Sequence, residues 1–139
     1  MNTFLRKFTL GLLVLSAFSF NSCSDDIAKQ LREEVALMKS QCPSNQGNGV
    51  TLTDVNFYEN EKIIEYIGSI EGVESLDATT VTNMKDAIVK SFSSSDVPAF
   101  GKLSVKIILD QYDYRFRYIY EDSYGNKLCK IDITKYDLK

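Results

Sequence analysis

Between Tyr112 and Tyr120 every second residue is aromatic: Tyr112, Tyr114, Phe116, Tyr118 and Tyr120. Side chains alternate across a β-strand with a period of two, so this run demands a strand with one face made of rings. A second alternation, Cys129, Ile131 and Ile133, follows the turn signal Tyr124-Gly125. A third precedes it, in Leu103, Val105, Ile107 and Leu109. Two-residue turns at Gln111-Tyr112 and Tyr124-Gly125 would join the three runs into a meander. Ile107 would then face Phe116, Phe116 would face Ile133, and Tyr118 would face Ile131. Three stripes on one side of a sheet require a cover of other elements, because so much apolar surface does not stay in water.

The cover is legible upstream. Ile27, Leu31, Val35 and Met38 recur at helical spacing, Ser24 is placed to cap them, and Pro43 ends the helix. A second helix is expected from Asp77 to Phe92, with Val81, Met84, Ile88 and Phe92 on one face. Between them, Thr51–Tyr58 and Lys62–Ile70 read as a hairpin around Asn60-Glu61, in which Phe57 faces Ile64 and Val55 faces Tyr66. Asn45 to Gly49 reads as a loop. The chain has 139 residues, 44% hydrophobic and 25% charged, which suits one globular domain. The expected fold is α+β in the order α-ββ-α-βββ, a mostly antiparallel sheet with helices packed on one face.

The first 22 residues stand apart. Arg6 and Lys7 precede a 13-residue run from Phe8 to Phe20 without an ionisable group. A spanning helix needs roughly 20 apolar residues and a secretory core roughly 7–15, so residues 1–22 read as a signal peptide and 23–139 as the domain. Phe20-Asn21-Ser22-Cys23 resembles the lipobox of bacterial lipoproteins, with Phe20 and Asn21 departing from its usual residues. The resemblance implies cleavage before Cys23 and acylation of its thiol, with palmitate among the chains expected. At about 0.8 kcal/mol per buried methylene, several acyl chains make a lasting anchor. Ser24-Asp25-Asp26 resembles an acidic tag for surface export, so the outer membrane is the expected address, facing either the cell surface or the periplasm.

Composition narrows the chemistry. There is no histidine, which excludes Ser–His–Asp and Cys–His catalysis and every histidine metal site. With Cys23 acylated, Cys42 and Cys129 cannot complete a zinc site, so no metal and no cofactor are expected. Outside the cytoplasm this pair suggests a disulfide, worth about 4–5 kcal/mol in chain-entropy terms; the alternative is two buried free thiols. The formal charge is −3, and the leader charges are both basic, so the domain is more acidic still and nucleic acid is not an expected partner. Carboxylate pairs such as Asp54 with Glu65, or Asp110 with Asp113, invite comparison with hydrolases, but any acidic domain offers such pairs. Enzymatic activity is not the expectation.

Two candidate surfaces remain. The aromatic strand could be a stacking platform for a glycan or protein, or the core face of the sheet. The stripes opposite it are aliphatic, which favours the core, and leaves Tyr112 and Tyr124 in the turns as the exposed rings. Arg115 and Arg117 lie on the other face, as an anion-docking strip or as a solvated row of ion pairs.

Ser40-Gln41-Cys42-Pro43, Thr51-Leu52-Thr53-Asp54-Val55 and Tyr118-Ile119-Tyr120-Glu121-Asp122 with Gly125 together resemble a family of small Bacteroidota lipoproteins that has no established activity. The resemblance implies the same address and a similar fold. The expected function is a lipid-anchored, non-catalytic binding module of the cell envelope. It would be held at the membrane by its lipid and bind an envelope protein or glycan. The alternative is an inhibitor or immunity protein against an envelope-acting toxin or hydrolase.

Overall fold

A computed structural model describes residues 27–47, 49–92 and 105–138. The leader, Cys23, the Ser24 cap and Leu103 lie outside the described residues. The elements are α1 (Ile27–Ser40), β1 (Ser44–Gly47), β2 (Val50–Tyr58), β3 (Ile63–Ile70), α2 (Ala78–Phe92), β4 (Arg115–Glu121) and β5 (Lys127–Ile133). A helical segment at 105–111 precedes β4, and a 3₁₀ turn (Lys135–Leu138) follows β5. The fold is α+β, as expected, with a five-stranded sheet in the order β1-β2-β3-β4-β5.

One end of each helix has a local cause among the described residues. Asp77 caps α2: its Oδ1 accepts the Thr80 N–H at 2.7 Å, which satisfies one of the amides left over at a helix start. α1 ends at Ser40, just before the cis Cys42-Pro43 bond. Leu31, Val35 and Met38 of α1 and Met84, Ile88 and Phe92 of α2 enter one core with the inward strand residues. Both helices therefore cover the same face of the sheet.

The β2–β3 hairpin has the expected register, Phe57 opposite Ile64 and Val55 opposite Tyr66. So does β4–β5, with Phe116 opposite Ile133 and Tyr118 opposite Ile131. Alternation carries through β4: Phe116, Tyr118 and Tyr120 are buried, and the residues between them are not. Gly68 on β3 admits the Tyr120 ring, because a Cβ there would sit 3.1 Å from its edge.

The first strand of the expected meander is not a strand. Residues 105–111 are helical, with Ile107–Gln111 wound as a π-helix. Val105, Ile108 and Leu109 are spaced i, i+3, i+4, and all three are buried, Ile108 and Leu109 completely. Ile107 therefore has no partner in the sheet, and Phe116 lies between Ile64 and Ile133 instead. Asn45 to Gly47, part of the expected loop, join Ser44 in the fifth strand by pairing with the start of β2. The order is thus one helix, three strands, a helix, a helical turn and two strands. The chain returns from β3 through α2, so β4 lies beside β3 in parallel, the one parallel pair in this sheet.

Among the described residues, β1 pairs with Val50, Thr51 and Leu52 and leaves the rest of β2 at an open edge. That edge is guarded. Asp54 accepts the Val55 N–H at 2.9 Å with its own carboxylate, and Lys39 of α1 reaches Asp54 at 2.7 Å. An occupied donor beside a lysine discourages edge-to-edge pairing with another chain.

Candidate functional site: the open sheet face and the strand ends

The aromatic stripe is core. Tyr66 and Tyr118 stack at 5.3 Å, Tyr118 and Tyr120 at 6.5 Å, and Phe116 lies within 6.2 Å of both Tyr66 and Phe92. Burial pushes all three of these phenols well above their ordinary range. The stripe is therefore closed as a glycan platform. The Tyr66 and Tyr118 hydroxyls find no protein partner. An unbonded buried hydroxyl is a liability, so Tyr118→Phe is expected to leave stability unchanged or raise it by about 1 kcal/mol. Urea unfolding followed by circular dichroism measures this. A loss of comparable size would mean that the hydroxyl holds a buried water.

The open face carries a polar row across four strands: Asn56, Glu65, Arg117 and Asp132. Asn56 Nδ2 donates to Glu65 Oε1 at 3.0 Å and the Tyr58 hydroxyl donates to the same oxygen at 3.3 Å. Arg117 Nε donates to Asp132 Oδ1 at 3.2 Å, and its Nη1 lies 3.9 Å from Glu65 Oε2. Glu65 is only 6% exposed, so the row has the satisfied partners that a buried carboxylate requires. Arg117 is held between two carboxylates, whereas Arg115, at the start of β4, is exposed. Asp54 and Glu65 share this face but are separately engaged, Asp54 by Lys39 and Glu65 by Asn56 and Tyr58. Asp113 holds Lys135 at 3.3 Å.

The turn tyrosines divide. Tyr124 is 92% exposed at the tip of the β4–β5 turn, while Tyr112 is half-buried against the core below the helical segment. Tyr112 precedes β4 and Tyr124 follows it. Seven strand residues rise about 23 Å, so the two rings belong to different ends of the molecule. The Tyr124 turn is built by Asp122, whose carboxylate accepts the N–H groups of Tyr124 and Asn126, both at 2.9 Å, while Gly125 takes a positive φ. These hydrogen bonds, led by the Asn126 side chain, hold Asp122 below the usual carboxylate range. Beside the turn is a cleft of about 560 Å³ lined by Gly72–Ser75 and Asp122–Tyr124. Nothing in the sequence pattern pointed to it, because it forms where the ends of the parallel strands β3 and β4 meet.

Of the two alternatives for the cysteine pair, the structure has the free thiols: Cys42 and Cys129 are not bridged. Cys42 leads into β1 at one edge of the sheet and Cys129 lies on β5 at the other. Neighbouring strands are about 4.8 Å apart and a bridge needs Cα atoms within about 7 Å, so the strand order separates them. The Cys42 thiol donates to the Met38 carbonyl at 3.3 Å. Burial pushes the Cys129 thiol up to about 11. At pH 8 the folded chain should react at Cys129 on the order of a hundredfold more slowly than in urea, since only the thiolate attacks. Titration with a chromogenic disulfide reagent tests this, and absence of both thiols under non-reducing conditions would restore the bridge.

Among the described residues no cluster of three or more His, Cys, Asp or Glu could hold a metal ion, and no helix is long and apolar enough to cross a membrane. No family model and no curated protein matches the sequence. Solved structures do. The pilotin EpsS of the Vibrio vulnificus type 2 secretion system superposes with a TM-score of 0.56 at 12% identity, over 77% of this chain and 86% of that one. The type II secretion pilotin AspS of Vibrio cholerae gives 0.51 at 12%, over 81% and 98%. A protein of Pseudomonas aeruginosa described as secreted gives 0.53 at 9%, over 85% and 100%. This chain shares their fold. At these identities the likeness is one of architecture, and it includes nearly the whole length of each neighbour.

Proposed function

We propose that this chain is a lipid-anchored, non-catalytic docking module of the bacterial outer membrane, binding an envelope protein in the manner of a secretion-system accessory. The observation that carries the reading is the fold common to two secretion pilotins, joined in one chain to an apolar leader that ends at Cys23. The resemblance to small Bacteroidota lipoproteins supports the same address. A protein partner is favoured over a glycan because the aromatic stripe faces the core. Of the residues expected to bind, Tyr124 and Arg115 are exposed, at opposite ends of β4, and Arg117 lies on the open face between them; the partner is assigned to the Tyr124 end.

Membrane flotation with fatty-acid labelling tests the anchor. The wild type is expected to float with outer membranes and carry label, and Cys23→Ser to be soluble and unlabelled. A soluble wild type without fatty acid would overturn the address. Crosslinking in intact cells tests the docking. A photo-crosslinker at Tyr124 should yield a discrete adduct with one envelope protein, lost on competition with the purified domain. Adducts no different from those of an unrelated lipoprotein would count against a specific partner.

A further inference from the structure

The ion pairs between α1 and the sheet fix which end of the molecule the lipid occupies. Arg32 pairs with Glu59 at 2.8 Å and Lys39 with Asp54 at 2.7 Å, so α1 runs antiparallel to β2. Its first residue, Ile27, therefore lies at the end of the sheet that carries the β2–β3 turn. The start of β4 and the end of β5 share that end. Arg115 N donates to the Lys62 carbonyl at 2.9 Å, Lys62 Nζ donates to the Tyr112 carbonyl at 3.2 Å, and Lys135 pairs with Asp113 at 3.3 Å. The cleft beside Tyr124 is at the opposite end, since β3 and β4 both run toward it.

Cys23 precedes Ile27 by four residues, and four residues reach at most about 14 Å. β3, from Ile63 to Ile70, is about 26 Å long. A lipid on Cys23 keeps the near end within about 14 Å of the bilayer, less than the length of β3, so the molecule cannot stand on its far end with the near end uppermost. On the proposed anchor, on which this step rests, we infer that the near end is a membrane-facing surface and that the Tyr124 end stands away from the bilayer.

The side chains at the two ends agree with this assignment. The near end presents Tyr58 and Tyr136, both exposed, with Lys62, Lys106, Arg115 and Lys135 set among the carboxylates Glu59, Glu61, Asp110 and Asp113, so its charges roughly balance. Tyrosine, lysine and arginine place an apolar body in the headgroup region and a polar tip in water. The far end carries Glu71, Glu74, Asp77, Glu121 and Asp122 against Lys127. An anionic leaflet repels that end, so charge and tether select the same orientation. The cleft of Gly72–Ser75 and Asp122–Tyr124 is thereby held toward the compartment, where a partner approaches.

The lipidated protein in vesicles of phosphatidylethanolamine and phosphatidylglycerol tests the orientation. A fluorophore is attached at Glu61→Cys in the near turn or at Glu74→Cys at the cleft, both exposed sites, with Cys42 and Cys129 changed to serine. Nitroxide-labelled headgroups should quench the probe at 61 severalfold more than the probe at 74. Amine footprinting of the unsubstituted lipoprotein is the second readout. Vesicle binding should protect Lys62, Lys106 and Lys135, and leave Lys127 reactive. Flotation with equal or reversed quenching, and with Lys127 protected, would overturn the orientation and leave the anchor standing. Failure to float would overturn the anchor and the orientation with it.

Discussion

Phe116→Ala is expected to cost about 3–5 kcal/mol, the range for truncating a fully buried aromatic side chain. Phe116 is 0% exposed, lies between Ile64 and Ile133 in the sheet, and meets the rings of Tyr66 and Phe92. It is where the β4 stripe, both sheet neighbours and α2 converge, so no single element can relax to fill the space. Domains of this size are typically stable by about 5–15 kcal/mol, and the loss is a large part of that. The measurement is the urea midpoint of the chain. A shift equivalent to less than about 1 kcal/mol would place Phe116 at the margin of the core instead of its centre.

Ile108→Ala is expected to cost about 2–5 kcal/mol, and Ile107→Ser far less. The contrast discriminates between two readings of one stretch. In a strand, Ile107 and Leu109 would face the core, and Ile108 would face out. In the helical segment, Val105, Ile108 and Leu109 turn inward together, and Ile107 is only half-buried. Equal and opposite results, with Ile107 costly and Ile108 neutral, would return this segment to the sheet.

The difficulty at 105–111 is intrinsic to short apolar runs. Val105-Lys106-Ile107-Ile108-Leu109 satisfies a period of two through 105, 107 and 109, and a helical spacing through 105, 108 and 109. Nothing local decides between them. Tertiary context does: once α2 returns the chain to the start of β3, β4 can pair there in parallel, and β3 is unavailable to any other strand on that side. The helical segment caps the core instead. β1 was missed for a related reason. Ser44-Asn45-Gln46-Gly47 has no apolar stripe, and it is a strand only because the edge of β2 offers it backbone partners.

The candidate sites divide along the same line. That Tyr124 would be exposed followed from its place in a turn, and the Arg117–Asp132 pairing followed from the register. Tyr112 was expected in a hairpin that does not exist, so its burial could not be foreseen. The cysteines show the clearest dependence on topology, because 87 positions of separation say nothing about distance until the strand order places them at opposite edges.

By itself, the amino-acid sequence determined the two helical faces, the hairpin and the β4–β5 register, and the inward set Phe116, Tyr118, Tyr120, Ile131 and Ile133. Each is a matter of period and turn, which act over a few residues. Only the tertiary structure decided the parallel β3–β4 pair, the helical path at 105–111, the separation of Cys42 from Cys129, and the cleft beside Tyr124. Those depend on which edge each strand meets after a long excursion, and the free energy of that choice is spread over residues distant in the chain.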